Sequence, residues 1–142
     1  MTLITSPAAT EVIGCALRVH TNVGPGLFES IYEQCMATEL RKSGLAFRQQ
    51  VTLPFTYDGI LLPRAFTADL IVEESVLVEL KSIERFHPIH NAQMLTYLRI
   101  SGLKKGLLFN FNTVRLKQGI RSFVMGPVGP VIQETVEAEP GT

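Results

Sequence analysis

The sequence has no long hydrophobic run. None of its segments approaches the roughly 20 apolar residues that a membrane-spanning helix needs. The N-terminus also lacks the basic segment followed by an apolar one that marks a secretory signal. These absences predict a soluble, cytoplasmic protein that makes no membrane contact. With 142 residues, 46% of them hydrophobic, the chain can bury the core of one domain.

Cysteine is scarce, with Cys15 and Cys35 the only two. Neither has the neighbouring Cys or His that a zinc site requires, and a disulfide is not expected in a reducing compartment. Both cysteines lie in segments with helical periodicity, where a free thiol packs as a small hydrophobe. The sequence therefore argues against a zinc site and against a disulfide-stabilised fold.

An excess of positive charge is also absent, since 13 basic and 13 acidic residues give a net charge of zero. The distribution is uneven, because residues 85–121 carry basic side chains and no acidic ones. These side chains could line one electropositive surface that binds a polyanion. They could equally be scattered and solvated, and the sequence leaves both interpretations open. The basic residues are Arg85, Arg99, Lys104, Lys105, Arg115, Lys117 and Arg121.

Helical spacing predicts two helices in the first part of the chain. The first begins after Ser6 and runs to about Thr21, and the second covers about residues 27–42. In the second helix Glu29 lies on the apolar arc, so we expect its carboxylate to face the core and to need a partner. Glu33, one turn later, lies at the rim of that arc and can be solvated.

Period-two alternation from Phe47 to Tyr57 predicts a strand whose odd-numbered side chains share one face. Asp58-Gly59 predicts a hairpin turn. Further strands are expected at about 65–72, 76–82, 106–111 and 120–124, with a helix of about fourteen residues that His87-Pro88 opens and Gly102 closes. This order gives an α/β protein with an αβββαβ core, in which helices flank a mixed central sheet.

The domain is predicted to cover residues 1–125, without an internal repeat or a linker. Residues 126–142 hold three prolines, three glycines and three glutamates with little apolar periodicity. Such a composition cannot bury enough apolar surface to fold, so we expect a flexible, disordered tail there.

Three charged residues interrupt the apolar strands of the predicted sheet. Glu79 and Lys81 share one face of the third strand, and Asp69 lies in the second. A tight turn makes these strands antiparallel neighbours, so the two carboxylates should lie close together. Adjacent carboxylates repel unless a cation lies between them, and oxygen ligands suit Mg²⁺, with Mn²⁺ as a substitute. The alternative is an ordinary ion pair between Lys81 and one carboxylate at a wet strand end.

The predicted third helix carries Gln93 and Tyr97 on one face, four residues apart. The helix follows the strand with Glu79 and Lys81, so both side chains can reach a phosphate or a base there. The alternative is that they are plain surface residues. Lys104 and Lys105 of the basic segment are expected to bind the same substrate. The remaining expectations are that His87 caps this helix and that His20 is partly buried.

Several short motifs within residues 8–125 resemble those of the GxxExxY proteins, a branch of the PD-(D/E)XK nuclease superfamily. The run from Gly26 to Tyr32 matches the motif that gives the family its name. One position departs from the superfamily pattern, since Ala68 stands where a proline usually precedes the aspartate. The other similar segments are Ala68-Asp69-Leu70, Val78-Glu79-Leu80-Lys81, Pro88-Ile89-His90, Gln93-Met94-Leu95-Thr96-Tyr97-Leu98 and Asn110-Phe111-Asn112.

The resemblance implies a restriction-endonuclease-like fold and a set of site residues. It implies that Asp69 and Glu79 bind the metal, and that Lys81 positions or activates the attacking water. Glu29 is implied as a further acidic group of the metal site. Gln93 and Tyr97 resemble a Q-x-x-x-Y pair found in exonuclease-like branches.

Residues and resemblance together predict a metal-dependent nuclease that hydrolyses phosphodiester bonds, with DNA a better candidate than RNA. The set of Asp69, Glu79, Lys81 and Glu29 favours this function. The alternative is a catalytically silent module of the same fold that binds nucleic acid or a protein partner, with a homodimer as one form. The neutral net charge favours that alternative.

Overall fold

In a computed structural model that describes residues 6–126 and 129–133, three helices flank a mixed six-stranded sheet. The parallel pair β3–β4 lies at the middle of the sheet, and every other neighbouring pair is antiparallel. The predicted α/β class and mixed sheet are confirmed. The helices are α1 (Pro7–Val23), α2 (Glu29–Lys42) and α3 (Pro88–Ser101). The strands, in spatial order, are β1 (Phe47–Tyr57), β2 (Ile60–Val72), β3 (Val76–Lys81), β4 (Lys105–Asn110), β5 (Ile120–Gly126) and β6 (Gly129–Gln133).

Local signals set the ends of these helices. The Ser6 side chain accepts a hydrogen bond from the Ala9 amide and caps α1, and Gly24 ends α1 with a φ of 69°. Gly102 ends α3 in the left-handed conformation, with a φ of 75°. Within the described residues, no helix is long and apolar enough to cross a membrane.

Each face of the sheet has its own hydrophobic core. The first core lies between the sheet and the helices α1 and α2, and it receives Val76, Val78 and Leu80 from β3. The second core lies between the sheet and α3, where Leu77 of the same strand packs. Because side chains alternate along a strand, Glu79 follows Leu77 on the α3 side. The two unequal faces predicted for this strand are confirmed.

The uniform alternation predicted for β1 is wrong. Phe47 packs against the first core, whereas Val51 packs in the second, on the other side of the sheet. The reversal occurs at Gln50, whose φ is 48°, in the left-handed region. Residues other than glycine seldom adopt this conformation, so a regular pattern in the sequence could not show the break.

The predicted tail is partly ordered, since Gly129–Gln133 forms β6 and pairs with β5. The pairing arises because the backbone of residues 129–133 continues the antiparallel ladder at an open sheet edge, which needs no apolar periodicity. The rest of the predicted tail beyond Gly126, residues 127–128 and 134–142, lies outside the described residues.

Gly119→Ala is expected to destabilise the protein by about 1 to 3 kcal/mol, the usual cost of overpacking. A Cβ atom at Gly119 would overlap the backbone carbonyl of Asn110, which cannot move aside easily. Gly106→Ala is the matched comparison, because its Cβ would lie 2.6 Å from the flexible end of Met94. Urea unfolding of both variants measures the difference. A larger loss in Gly106→Ala would contradict this account.

Candidate functional site

Asp69 and Glu79 meet where β2 and β3 diverge. The ladder between these strands ends at the pair Leu70–Val78. Beyond it, Asp69 Oδ2 accepts a hydrogen bond of 2.8 Å from the Leu80 backbone amide. A carboxylate thus replaces the backbone partner that β2 no longer provides, and this brings Asp69 beside Glu79, as the sequence predicted.

Glu79 is buried, with 8% of its surface exposed. Its Oε1 atom is buried and has no hydrogen-bond partner among the residues that the structure describes. Burial, and secondly the neighbouring Asp69 carboxylate, raise the pKa of Glu79 to about 9, although the Lys81 charge acts in the opposite direction. Without a cation the Glu79 carboxyl therefore stays protonated near neutral pH. An unpaired carboxyl oxygen in this position is costly to the fold unless something binds it.

The pair formed by Asp69 and Glu79 suits a divalent cation. No group of three or more His, Cys, Asp or Glu side chains that could hold a metal occurs within residues 6–126 and 129–133. Mg²⁺ does not need such a group, because it usually keeps several waters and binds one or two carboxylates together with substrate phosphates. The unpaired Glu79 oxygen beside a second carboxylate meets this requirement.

The expectation that Glu29 faces the core is wrong. Glu29 is exposed, and its Oε2 accepts a hydrogen bond of 3.2 Å from the Ser82 amide. It lies two turns before the buried Met36, on the same side of α2. However, it is the first residue of the helix, and its carboxylate reaches water and the end of β3. The helical periodicity correctly predicted the side of α2 on which Glu29 lies. It could not show that Glu29 extends past the end of the hydrophobic core.

Glu33 is half-buried rather than solvated. Gln49 Nε2 donates to one of its oxygens at 2.9 Å, and Gln50 Nε2 donates to the other at 2.5 Å. The same Gln50 nitrogen lies 3.2 Å from Asp69 Oδ1 and donates to it. Sequence reasoning missed Gln50, because nothing in the pattern of β1 distinguished it from a solvated strand residue.

Lys81 lies on the same side of β3 as Glu79 and is partly buried. Within the described part of the chain its ammonium group forms no salt bridge. The alternative of a plain ion pair with Asp69 or Glu79 therefore finds no support in these contacts. The Lys81 ammonium lies close enough to Glu79 to affect its pKa, and without a salt bridge it remains available to interact with another charged group.

The α3 helix places Tyr97 at the site. Its ring stacks on Phe66 of β2 with centroids 4.1 Å apart. Burial, followed by the charges of Glu79 and Asp69, raises the pKa of the Tyr97 phenol. Gln93 lies one turn nearer the start of the helix and is exposed. The predicted pair thus lies on the helix that borders the two carboxylates.

His90 is a residue of this region to which the sequence assigned no role. Its Nδ1 accepts a hydrogen bond of 2.9 Å from the His87 amide at the start of α3. Burial, followed by the Lys81 charge, lowers the pKa of His90. The ring is therefore neutral near pH 7 and carries its proton on Nε2. The other expectations are met in part, since His87 is the N-cap residue of α3 and His20 is partly buried.

Lys104 and Lys105 do not lie at this site. Lys105 pairs with Val76 at the start of β3, whereas Lys81 at its end pairs with Asn110. Five residues separate the two levels, which is about 16 Å along a strand. Lys105 also donates to Ser122 Oγ at 2.6 Å and is partly buried. The spacing in the sequence could not show whether these lysines lie at the end of the sheet with Lys81 or at the opposite end.

The basic side chains of residues 85–121 are therefore divided between the two ends of the sheet and are not gathered at one place. One end has Arg99, Lys104 and Lys105, after α3 and at the start of β4. Near the other end, Arg121 lies over the Phe86 ring, 5.0 Å from its centroid. The remaining basic side chains there are Arg85, Arg115 and Lys117, in the segments that follow β3 and β4.

A comparison with protein families finds that residues 6–123 match the PD-(D/E)XK nuclease superfamily. The chain belongs to this superfamily. The matched range spans the segment with Asp69, Glu79 and Lys81, and the mixed sheet with its helices agrees with the restriction-endonuclease-like fold. Nucleases of the superfamily generally use divalent metals. No curated protein and no solved structure matches the chain.

In this superfamily member the run from Gly24 to Tyr32 fixes the loop before α2. The Tyr32 hydroxyl donates to the Gly24 carbonyl at 2.6 Å and accepts from the Leu27 amide at 3.2 Å. Ser82 Oγ donates to the Leu27 carbonyl at 2.6 Å. This part of the chain is thereby fastened to the end of β3, next to Lys81.

Proposed function

We propose that this protein is a metal-dependent nuclease that hydrolyses phosphodiester bonds of nucleic acid, with DNA as the preferred substrate. The observation that carries the proposal is the buried, unpaired oxygen of Glu79 beside Asp69, with Lys81 on the same strand. Membership of the PD-(D/E)XK superfamily and the restriction-endonuclease-like fold support it. We also propose that the chain belongs to the GxxExxY branch, on the motif from Gly26 to Tyr32.

Asp69 and Glu79 would hold the cation, with Mg²⁺ the natural ion and Mn²⁺ a substitute. Glu29 is exposed at the start of α2, so we assign it to the edge of the site and not to the residues that bind the cation directly. A divalent cation, when bound, supplies the charge that lowers the pKa of water and stabilises negative charge on the phosphate. Burial of Glu79 lowers the local dielectric constant and so strengthens the attraction between its carboxylate and the cation.

The chain's own residues orient the phosphate. The Lys81 ammonium can donate to a non-bridging phosphate oxygen and stabilise the negative charge that develops there. His90, neutral and protonated at Nε2, can donate a further hydrogen bond beside it. Tyr97 and Gln93 line the α3 side, where a phosphate or a base can bind.

The test is cleavage by the purified full chain of labelled single- and double-stranded DNA and RNA, with Mg²⁺ or Mn²⁺. We expect DNA products that require the metal, disappear with EDTA, and are absent with Asp69→Ala. DNA should be cut faster than RNA. Equal products from Asp69→Ala would indicate a contaminating nuclease, and binding without cleavage of any substrate would show a silent nuclease-fold module instead.

A further inference from the structure

We infer that Gln50 is a positioning residue that fixes the orientation of the Asp69 carboxylate for metal binding. The inference rests on the proposed nuclease function and adds a residue to its site. Gln50 and Asp69 lie opposite each other in the β1–β2 ladder, between the pairs Gln49–Leu70 and Val51–Ala68. At this position the pairing between β2 and β3 has ended.

One nitrogen of Gln50 contacts two acids. A side-chain amide nitrogen has two protons, and here one is donated to Glu33 Oε1 at 2.5 Å and the other to Asp69 Oδ1 at 3.2 Å. The Leu80 amide holds the second oxygen of Asp69 at 2.8 Å. Both Asp69 oxygens are therefore held, one by the backbone of β3 and one by Gln50.

Glu33 serves as the anchor for this amide. Its other oxygen is held by Gln49 at 2.9 Å, so the Glu33 carboxylate cannot swing away without breaking two hydrogen bonds. The shared amide also keeps two carboxylates apart that would otherwise repel each other. A hydrogen-bond partner of this kind orients a side chain that binds a metal. Loss of such a partner usually weakens metal affinity or activity 10- to 100-fold.

The backbone at Gln50 is a second observation that supports a role for its side chain. Its φ of 48° is unfavourable for glutamine and easily adopted by glycine. If the position served only to reverse the faces of β1, glycine would serve better. Strained residues in the middle of an element, away from a turn, cluster at functional sites, where the surrounding contacts hold them in place. The side chain of Gln50 reaches the two acids only because the backbone turns here.

The decisive variants are Gln50→Gly and Gln50→Asn. Both accept a positive φ, but glycine lacks the amide and asparagine is one methylene too short to bridge both acids. We expect both variants to remain folded at the assay temperature, because the relief of the unfavourable φ offsets the lost hydrogen bonds in part. We also expect them to bind Mn²⁺ at least tenfold more weakly, measured by electron paramagnetic resonance without nucleic acid. Half-maximal cleavage should require at least tenfold more Mg²⁺.

Thr52→Ala is the matched control, because Thr52 is an exposed polar residue of β1 whose hydroxyl pairs with Thr67 and belongs to no contact with Glu33 or Asp69. Its Mn²⁺ affinity and its Mg²⁺ requirement should stay within twofold of wild type. Wild-type cleavage with unchanged metal dependence in both Gln50 variants overturns the positioning role and leaves the nuclease function intact. Weaker Mn²⁺ binding in these variants, with no cleavage by wild type, supports the positioning role and overturns the nuclease function. A wild-type protein that neither binds Mn²⁺ nor cleaves overturns both.

Discussion

Lys81→Met is expected to lower the rate of metal-dependent cleavage about a thousandfold, at the upper end of what removal of one charge-stabilising donor costs. Methionine keeps much of the length and apolar stem of lysine but removes the ammonium group. That group lies near Glu79 without a salt bridge to any carboxylate of the described residues. The substitution therefore breaks no ion pair, and we expect the melting temperature to change little.

Lys104→Met is the matched control, because this exposed lysine precedes β4 at the opposite end of the sheet. It makes the same chemical change without approaching Asp69 or Glu79, so its cleavage rate should stay within about twofold of wild type. Initial rates at saturating Mg²⁺, with thermal melting of each variant, provide the comparison. A Lys81→Met protein that cleaves at the wild-type rate would show that the ammonium group is not part of the chemistry.

Much of the fold could be predicted because its signals are local. Ser6 and Gly102 mark helix ends through capping and a left-handed residue, which depend on neighbouring positions only. Asp58-Gly59 marks the hairpin in the same way. The unequal faces of β3 were visible because Glu79 and Lys81 break an apolar pattern of period two.

The features that could not be predicted depend on distant parts of the chain. Glu29 lies on the expected side of its helix, but only the packing of α2 on the sheet shows that it extends past the core. The parallel pairing of β4 with β3 places Lys104 and Lys105 at the end of the sheet opposite to Lys81. Gln50 has no local signal, since glutamine is not a residue from which a positive φ is expected.

The metal-free protein is expected to lose stability as pH rises, because Glu79 holds its proton more tightly when folded. In the unfolded chain this carboxyl releases its proton near pH 4.5, whereas in the folded protein its pKa is about 9. Between these values the folded state binds more protons, so the free energy of unfolding falls with increasing pH. At about 1.4 kcal/mol per pKa unit, the total loss is on the order of 6 kcal/mol and is complete above pH 9.

Glu79→Gln separates this effect from all other titrations, since the amide has a similar shape and no proton to lose in this range. Urea unfolding in EDTA at pH 5, 6, 7, 8 and 9 should show a steep fall for wild type and a much flatter profile for the variant. Mg²⁺ should restore stability to wild type at high pH, by about 2.7 kcal/mol at one hundred times its dissociation constant. The same addition should have little effect on Glu79→Gln. Parallel pH profiles for the two proteins would contradict the raised pKa, and equal stabilisation by Mg²⁺ would show that the cation binds elsewhere.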